Sequence, residues 1–263
     1  MVIKRIIQNC TIKYRYFMKT KLLVTAVATS LLSFGTMAED AADTWVVSAE
    51  LGALITTGNT ESSSLFTKIS ASHQINKWKN KYTFNTLVKE DEVVNADGNK
   101  ESQTTADQYS LTGQGDYSLG EHSAAFVFGS YKNTKFSAYK GYTTVAGGYS
   151  FRAIDKENLT LDVNAGPGFT ESETQDGVVE SGAIIRSSLA LTWQISESAK
   201  FEQNVSVEAA EFNTRTVAES ALVSSINNSM QMKFGFALTN DSDVAPGLEK
   251  TDTETSATIV VSF

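Results

Sequence analysis

Thr251-Asp252-Thr253-Glu254-Thr255-Ser256-Ala257-Thr258-Ile259-Val260-Val261-Ser262-Phe263 is the stretch that decides the fold. Taken every second residue, Thr253, Thr255, Ala257, Ile259, Val261 and Phe263 form an increasingly apolar face. Asp252, Glu254, Ser256, Thr258, Val260 and Ser262 form a mostly polar one. Side chains alternate across a β-strand with a period of two, so this is a strand with one side suited to hydrocarbon and one to water. It ends on an aromatic residue, as chains that close a bacterial outer-membrane barrel commonly do. Phe263 is therefore the expected assembly signal, and the barrel-assembly machinery an expected partner during insertion.

The same alternation recurs upstream. Trp45, Val47, Ala49 and Leu51 oppose Val46, Ser48, Glu50 and Gly52. Tyr109, Leu111, Gly113, Gly115 and Tyr117 oppose Gln108, Ser110, Thr112, Gln114 and Asp116, and Leu159 to Thr170 and Ala183 to Ile195 sort as cleanly. In Ser123 to Lys132 the faces are less distinct, because Phe126 and Phe128 lie opposite Val127 and Tyr131. Pro167, flanked by Gly166 and Gly168, predicts a bulge or local bend, since proline removes a ladder hydrogen bond. Val217 to Leu238 is too long for one strand and divides at Ile226-Asn227-Asn228-Ser229, a plausible tight turn. The total is about twelve strands. Short connections near 76, 120, 155, 198 and 227 alternate with others near 58, 97, 137, 176, 214 and 245, as periplasmic turns alternate with extracellular loops. Asp91 to Thr105 has no period and reads as a long exposed loop.

A soluble barrel alternates equally well with its apolar face turned inward. Three features select the membrane. Most strands run about ten residues, as a tilted span needs. Aromatic residues sit at strand ends (Trp45, Tyr82, Tyr117, Tyr142, Trp193, Phe201, Phe263), as in interfacial girdles. The polar face carries mid-strand charges, and facing a lysine or arginine into lipid costs about 2–4 kcal/mol. The fold class expected is all-β: a single antiparallel transmembrane barrel over residues 39–263, in contact with outer-membrane lipid and lipopolysaccharide.

Residues 1–38 read as an upstream extension and a signal peptide. Met18-Lys19-Thr20-Lys21 is a basic start, Leu22 to Phe34 is apolar with no acidic residue, and Thr36-Met37-Ala38 suits cleavage after Ala38. The apolar run is shorter than the ~20 residues of a helical span. The start lies at Met1 or Met18, and the sole cysteine, Cys10, precedes the signal. Removal of this segment takes six of the 22 basic residues and none of the 30 acidic ones, leaving a net charge of −14. Such a chain disfavours nucleic acid as a partner. Without cysteine it forms neither disulfides nor thiolate metal sites.

Gly52-x-x-x-Thr56-Thr57-Gly58-Asn59-Thr60-Glu61-Ser62, Gly147-Gly148-Tyr149, Gly166-Pro167-Gly168-Phe169 and the Pro246-Gly247 loop with Lys250-Thr251-Asp252-Thr253 resemble the YdiY-like family of salt-induced outer-membrane proteins, a bacterial family of unknown function. The resemblance spans nearly all of the exported chain. It implies an outer-membrane barrel of a Gram-negative bacterium and brings no substrate or catalytic residues.

The charges expected to face the lumen are Glu50, Lys68, Asp116, Arg152, Asp162, Arg186, Glu208, Lys233 and Glu254, with Lys89 and Glu202 beside them. Both signs are present. They suit either a polar constriction that admits a small solute or an interior zipped by salt bridges with no open path. Barrels of eight strands are filled and those of 16–18 conduct, so twelve falls between and leans to the zipped interior. Catalysis is not expected: His73 falls on the apolar-face register, His122 in a turn, and neither has evident triad partners. No cofactor motif or metal cluster is evident. The acidic loops, with Asp91, Glu92, Asp97 and Glu101 in one and Glu171, Glu173, Asp176 and Glu180 in another, read as solvated, with no calcium-loop spacing. The expected function is a narrow passive pore or a structural element of the envelope linked to salt or osmotic stress. The alternatives are a surface-binding or adhesion barrel acting through the acidic loops and, less favoured, a barrel lipase.

Overall fold

The computed structural model describes residues 44–56, 62–94, 100–134 and 138–263; for 44, 53–56, 62–63, 92–94, 100–102 and 105–106 it describes the backbone alone. The sequence readings on residues 1–38, Thr57-Gly58-Asn59-Thr60 and Asp97 lie outside the described residues.

Twelve strands follow one another in a closed antiparallel barrel: β1 (Thr44–Thr56), β2 (Ser62–Ile75), β3 (Trp78–Val94), β4 (Lys100–Ser118), β5 (Ser123–Thr134), β6 (Tyr139–Lys156), β7 (Leu159–Thr174), β8 (Val179–Ser196), β9 (Ala199–Ala210), β10 (Thr214–Ser225), β11 (Met230–Asp241) and β12 (Thr251–Ser262). Each pairs with its sequence neighbours, and β12 returns to β1 to complete the ring. Closure pairs every strand on both sides, the condition for crossing lipid without unsatisfied backbone. The division at Ile226–Ser229 falls at the β10–β11 turn, where Asn227 Oδ1 accepts from the Ser229 and Met230 amides, each at 2.9 Å.

The register turns the apolar face outward. Leu111 and Val127 are each 56% exposed, and Val145, Phe169, Ile185 and Phe234 share that outer surface. Glu50, Arg186, Glu208 and Arg215 are buried on the opposite face. Val163 is exposed, which excludes the inverted arrangement with an oily centre. An exposed apolar surface around a closed antiparallel barrel with charges inside is the pattern of a transmembrane barrel. The chain is an outer-membrane β-barrel. At one rim Trp45 packs tilted against His73 (4.0 Å between centroids) and Trp78 against Tyr117 (5.3 Å), an interfacial girdle.

Four sequence readings change. Asp91 to Thr105 is not a long loop: β3 and β4 extend as one hairpin to Val94 and Lys100, with a register shift at Lys89/Glu90. These strands, of 17 and 19 residues, outrun the roughly 9–11 that span lipid. Beyond the bilayer both faces meet water, so no apolar alternation marks the strand. In the same way β7 and β8 extend into the acidic stretch Glu171 to Ser181, up to Thr174 and from Val179. Tyr142 does not belong to the girdle. It shares the inward register of Thr144 and is 6% exposed. At Pro167 there is no bulge; β6 and β7 keep one register from Ala146↔Gly168 to Tyr149↔Ala165, with the ladder open between them. The ladder is interrupted there while the register is kept, which excludes the bulge and not a bend, and the bulges of this pair lie at Tyr139/Gly141 and Arg152/Ile154.

Candidate functional site: the barrel lumen

Every second residue of each strand points into the barrel, which brings side chains distant in sequence face to face. The interior is crossed by chords between non-neighbouring strands. The Arg186 guanidinium of β8 lies 3.7 Å from the centroid of the Phe128 ring of β5, while its Nε donates to Glu208 Oε1 of β9 at 3.2 Å. Thr144 of β6 donates to the other Glu208 oxygen at 2.9 Å. Nearer the loop end, the Arg215 guanidinium of β10 lies 4.3 Å from the Tyr142 ring centroid and 3.4 Å from Asp241. Asn213 donates to the same carboxylate at 2.7 Å. These are desolvated pairs with further hydrogen bonds to each carboxylate, the arrangement that lets a buried ion pair persist.

Tyr142 stacks edge-on against Tyr139, and Ala138 and Val244 complete this apolar knot. The Tyr142 hydroxyl is buried with no hydrogen-bond partner among the described residues. Thr170, near it, gives its own hydroxyl to the Thr143 carbonyl at 2.9 Å. On the opposite side Gln108 of β4 reaches Glu254 of β12 at 2.8 Å. The side between β5 and β10 is thus filled, and the lumen is eccentric.

A cavity of about 620 Å³ occupies the remainder. It runs from the β4–β5 turn at Gly120–Ser123 to Asp252 near the start of β12. Its lining carries seven basic and seven acidic side chains, so its formal charge is zero although residues 39–263 together carry −14. Of the residues expected to face the lumen, Lys68, Asp116, Arg152, Asp162, Arg186, Glu208 and Glu254 line this cavity. Glu50 and Lys233 also point inward but pair with each other at 3.1 Å beside it. Arg152 binds Asp162 through two hydrogen bonds, of 2.8 and 3.0 Å. Asp116 accepts from Gln114 and Ser150.

Lys68, Lys79, Lys81, Lys132, Glu121 and Glu219 line the cavity and make no ion pair or side-chain hydrogen bond among the described residues. Sequence reasoning named Lys68 but missed Lys81 and Glu219, although both lie on the polar register of their strands. It also missed the inward aromatics Phe126, Phe128 and Tyr142, because an aromatic residue on an amphipathic strand reads as lipid-facing.

Neither histidine forms a triad among the described residues. His73 sits on the outer face between Trp45 and Tyr82, with Asn80 at 3.2 Å. His122 Nδ1 lies 3.6 Å from Asp155, and no serine hydroxyl is bonded to its ring. In the acidic stretches, Glu173 pairs with Lys140 at 2.8 Å. No group of three or more metal-ligating side chains converges among the described residues.

Residues 49–263 match the family model described as "Protein of unknown function, DUF481". The chain belongs to this family. A curated relative, the "Uncharacterized protein YdiY" of Escherichia coli (strain K12), is 26% identical over 162 residues, which are 61% of this chain and 64% of the relative. The chain therefore spans somewhat less than two thirds of that relative's length. Among solved structures, the NanC porin is 9% identical with a TM-score of 0.48, covering 83% of this chain and 98% of that one. The COG4313 outer membrane channel from Pseudomonas putida F1 is 10% identical with a TM-score of 0.47, covering 88% and 98%. The translocator domain of autotransporter NalP from Neisseria meningitidis is 11% identical with a TM-score of 0.45, covering 94% and 96%. At these scores the reading of this DUF481 member rests on its own geometry.

Proposed function

We propose that this DUF481 barrel is a narrow passive pore for small polar solutes. The observation that carries the reading is the lengthwise polar cavity, in which charges not committed to ion pairs remain on the walls. The chords through Arg186 and Arg215 support a bore that is fixed and restricted, since desolvated pairs of this kind resist rearrangement. Channels of this type select by the charge and size of their lining. Single-channel recording in planar bilayers tests it: the folded protein gives small conductance steps. A pure, heat-modifiable preparation that gives no steps at any salt concentration removes the pore and leaves a structural barrel.

The link to salt or osmotic stress stands on the family resemblance, and transcript levels in high-salt medium test it. Export follows the same reading: residues 1–38 are removed after Ala38, which the intact mass of outer-membrane protein checks. Phe263 serves as the assembly signal. Its position supports this, because it is 56% exposed and its amide donates to the Val47 carbonyl at 2.9 Å at the closing seam. Its deletion lowers the yield of folded barrel in the membrane without affecting synthesis.

A further inference from the structure

The cavity-lining charges without an ion pair or side-chain hydrogen bond among the described residues are sorted by wall, with Lys79 on β3 and Lys132 on β5 on the lysine side and Glu121 in the β4–β5 turn. Lys68 lies on β2 and Lys81 on β3, whereas Glu219 lies on β10. In a ring of twelve, β3 stands opposite β9 and β10 is the next strand round. The charges that act on Lys81 are Lys68 on its own side and Glu202, Lys233 and Glu219 from the far side. Lys233 is matched by Glu50 at 3.1 Å and Glu202 by Lys200 at 2.7 Å. Lys68 and Lys81 therefore face the Glu219 carboxylate across the cavity, with Lys79 and Lys132 adding to the cationic side. Lys81 and Glu219 are both exposed to the lumen's solvent.

A neutral but polarised slot treats solutes differently from a uniformly charged one. A lone anion gains at the lysine wall and is repelled by the glutamate wall, and a lone cation meets the reverse. A molecule carrying both charges gains at both walls in one orientation. We propose that this lumen takes small zwitterions, with their carboxylate toward Lys68 and Lys81 and their ammonium group toward Glu219. The volume suits such solutes, since binding cavities of about 300–1,000 Å³ hold small organic molecules. The inference deepens the pore reading and rests on it.

The test uses the full barrel in proteoliposomes at low ionic strength, where charge effects are least screened. Three probes of similar size are compared: β-alanine as the zwitterion, propionate as the anion and propylammonium as the cation. Water-exposed charge contacts are individually weak, so β-alanine is expected to enter about threefold to tenfold faster than either of the others. Lys68→Gln with Lys81→Gln removes that preference and favours propylammonium; Glu219→Gln removes it and favours propionate. Each variant is first checked for heat-modifiable folding, and a Lys68→Gln, Lys81→Glu, Glu219→Lys exchange, which sets a carboxylate opposite a cation in reversed order, provides a second reading if a single variant misfolds. Recovery of the β-alanine preference in the exchange is expected. Equal entry of the three probes into wild-type liposomes overturns the zwitterion inference and leaves the pore standing. Entry of none overturns both.

Discussion

Gly148 of β6 and Gly166 of β7 meet backbone to backbone. A Cβ on Gly148 would lie 2.2 Å from the Ala165 carbonyl oxygen, and one on Gly166 would lie 2.2 Å from that of Gly147. The atoms in the way are main chain and cannot rotate aside, so a methyl group forces the two strands apart. Both positions face inward, at the point where Pro167 interrupts the ladder, and the close approach is what the Gly-rich segments provide. Gly148→Ala or Gly166→Ala is expected to destabilise the barrel by about 1–3 kcal/mol or more, read as a lower temperature of heat-modified mobility on gels. Gly129→Ala is the control, because a Cβ there meets nothing within 4 Å. Equal behaviour of the three variants contradicts the account.

Tyr142 offers a prediction in which two variants part. Its ring supports Arg215 from 4.3 Å, while its hydroxyl lacks a partner. An unsatisfied buried hydroxyl costs about 1–3 kcal/mol. Tyr142→Phe keeps the ring and is therefore neutral to stabilising. Tyr142→Ala removes the ring, costs about 3–5 kcal/mol by analogy with aromatic truncation in cores, and widens the bore. Higher single-channel conductance in the alanine variant, with the phenylalanine variant unchanged, is the expected pair of results.

Leu111 and Thr112 are neighbours on β4 that face opposite ways, Leu111 to lipid and Thr112 to the cavity. Leu111→Arg places a guanidinium in hydrocarbon at a cost of about 2–4 kcal/mol near the midplane. Thr112→Arg extends the same group into water and instead narrows the path. The first variant is expected to lose folded protein from the membrane, and the second to fold and conduct less. If Thr112→Arg is the one that fails to fold, the assignment of inside and outside is wrong.

How much of this was legible in the sequence follows from where each residue meets its solvent. Between water and lipid the alternation is enforced, and Leu159 to Thr170, Ala183 to Ile195 and Thr251 to Phe263 show both strand and facing directly. Above the bilayer that constraint lapses, so the β3–β4 extension within Asp91 to Thr105 left no period to read. The lumen was legible only as a list. Glu50, Lys68 and Arg186 announce an inward register by their charge. That Arg186 lies over Phe128, and Gln108 reaches Glu254, depends on how the closed ring brings distant strands together, which no local pattern encodes. Phe128 and Tyr142 were misleading for a simpler reason. Hydrophobicity does not distinguish a ring stacked under arginine from one in lipid.

The closing seam is the shortest in the ring, with β1 and β12 registered only from Ser48↔Ser262 to Leu51↔Ile259. Below this stretch Val47 and Phe263 exchange backbone hydrogen bonds in both directions. In an antiparallel ladder such pairs alternate with non-hydrogen-bonded ones, whose Cα atoms lie closer, at about 4.5 Å. Ser48 and Ser262 are therefore a close pair, within the span a disulfide bridges. Residues 39–263 contain no cysteine, since the sole one of the sequence is Cys10. Ser48→Cys with Ser262→Cys is expected to oxidise readily in the folded barrel. The bond closes almost the whole chain into a loop, so boiled, unreduced protein runs faster on a denaturing gel than the same protein after reduction. Ser48→Cys with Val260→Cys, displaced by two residues along the strand, is expected to give much less of the fast band. Equal yields from the two pairs mean that the seam slides, and absence of the fast band from the first means that β12 does not close on β1 in this register.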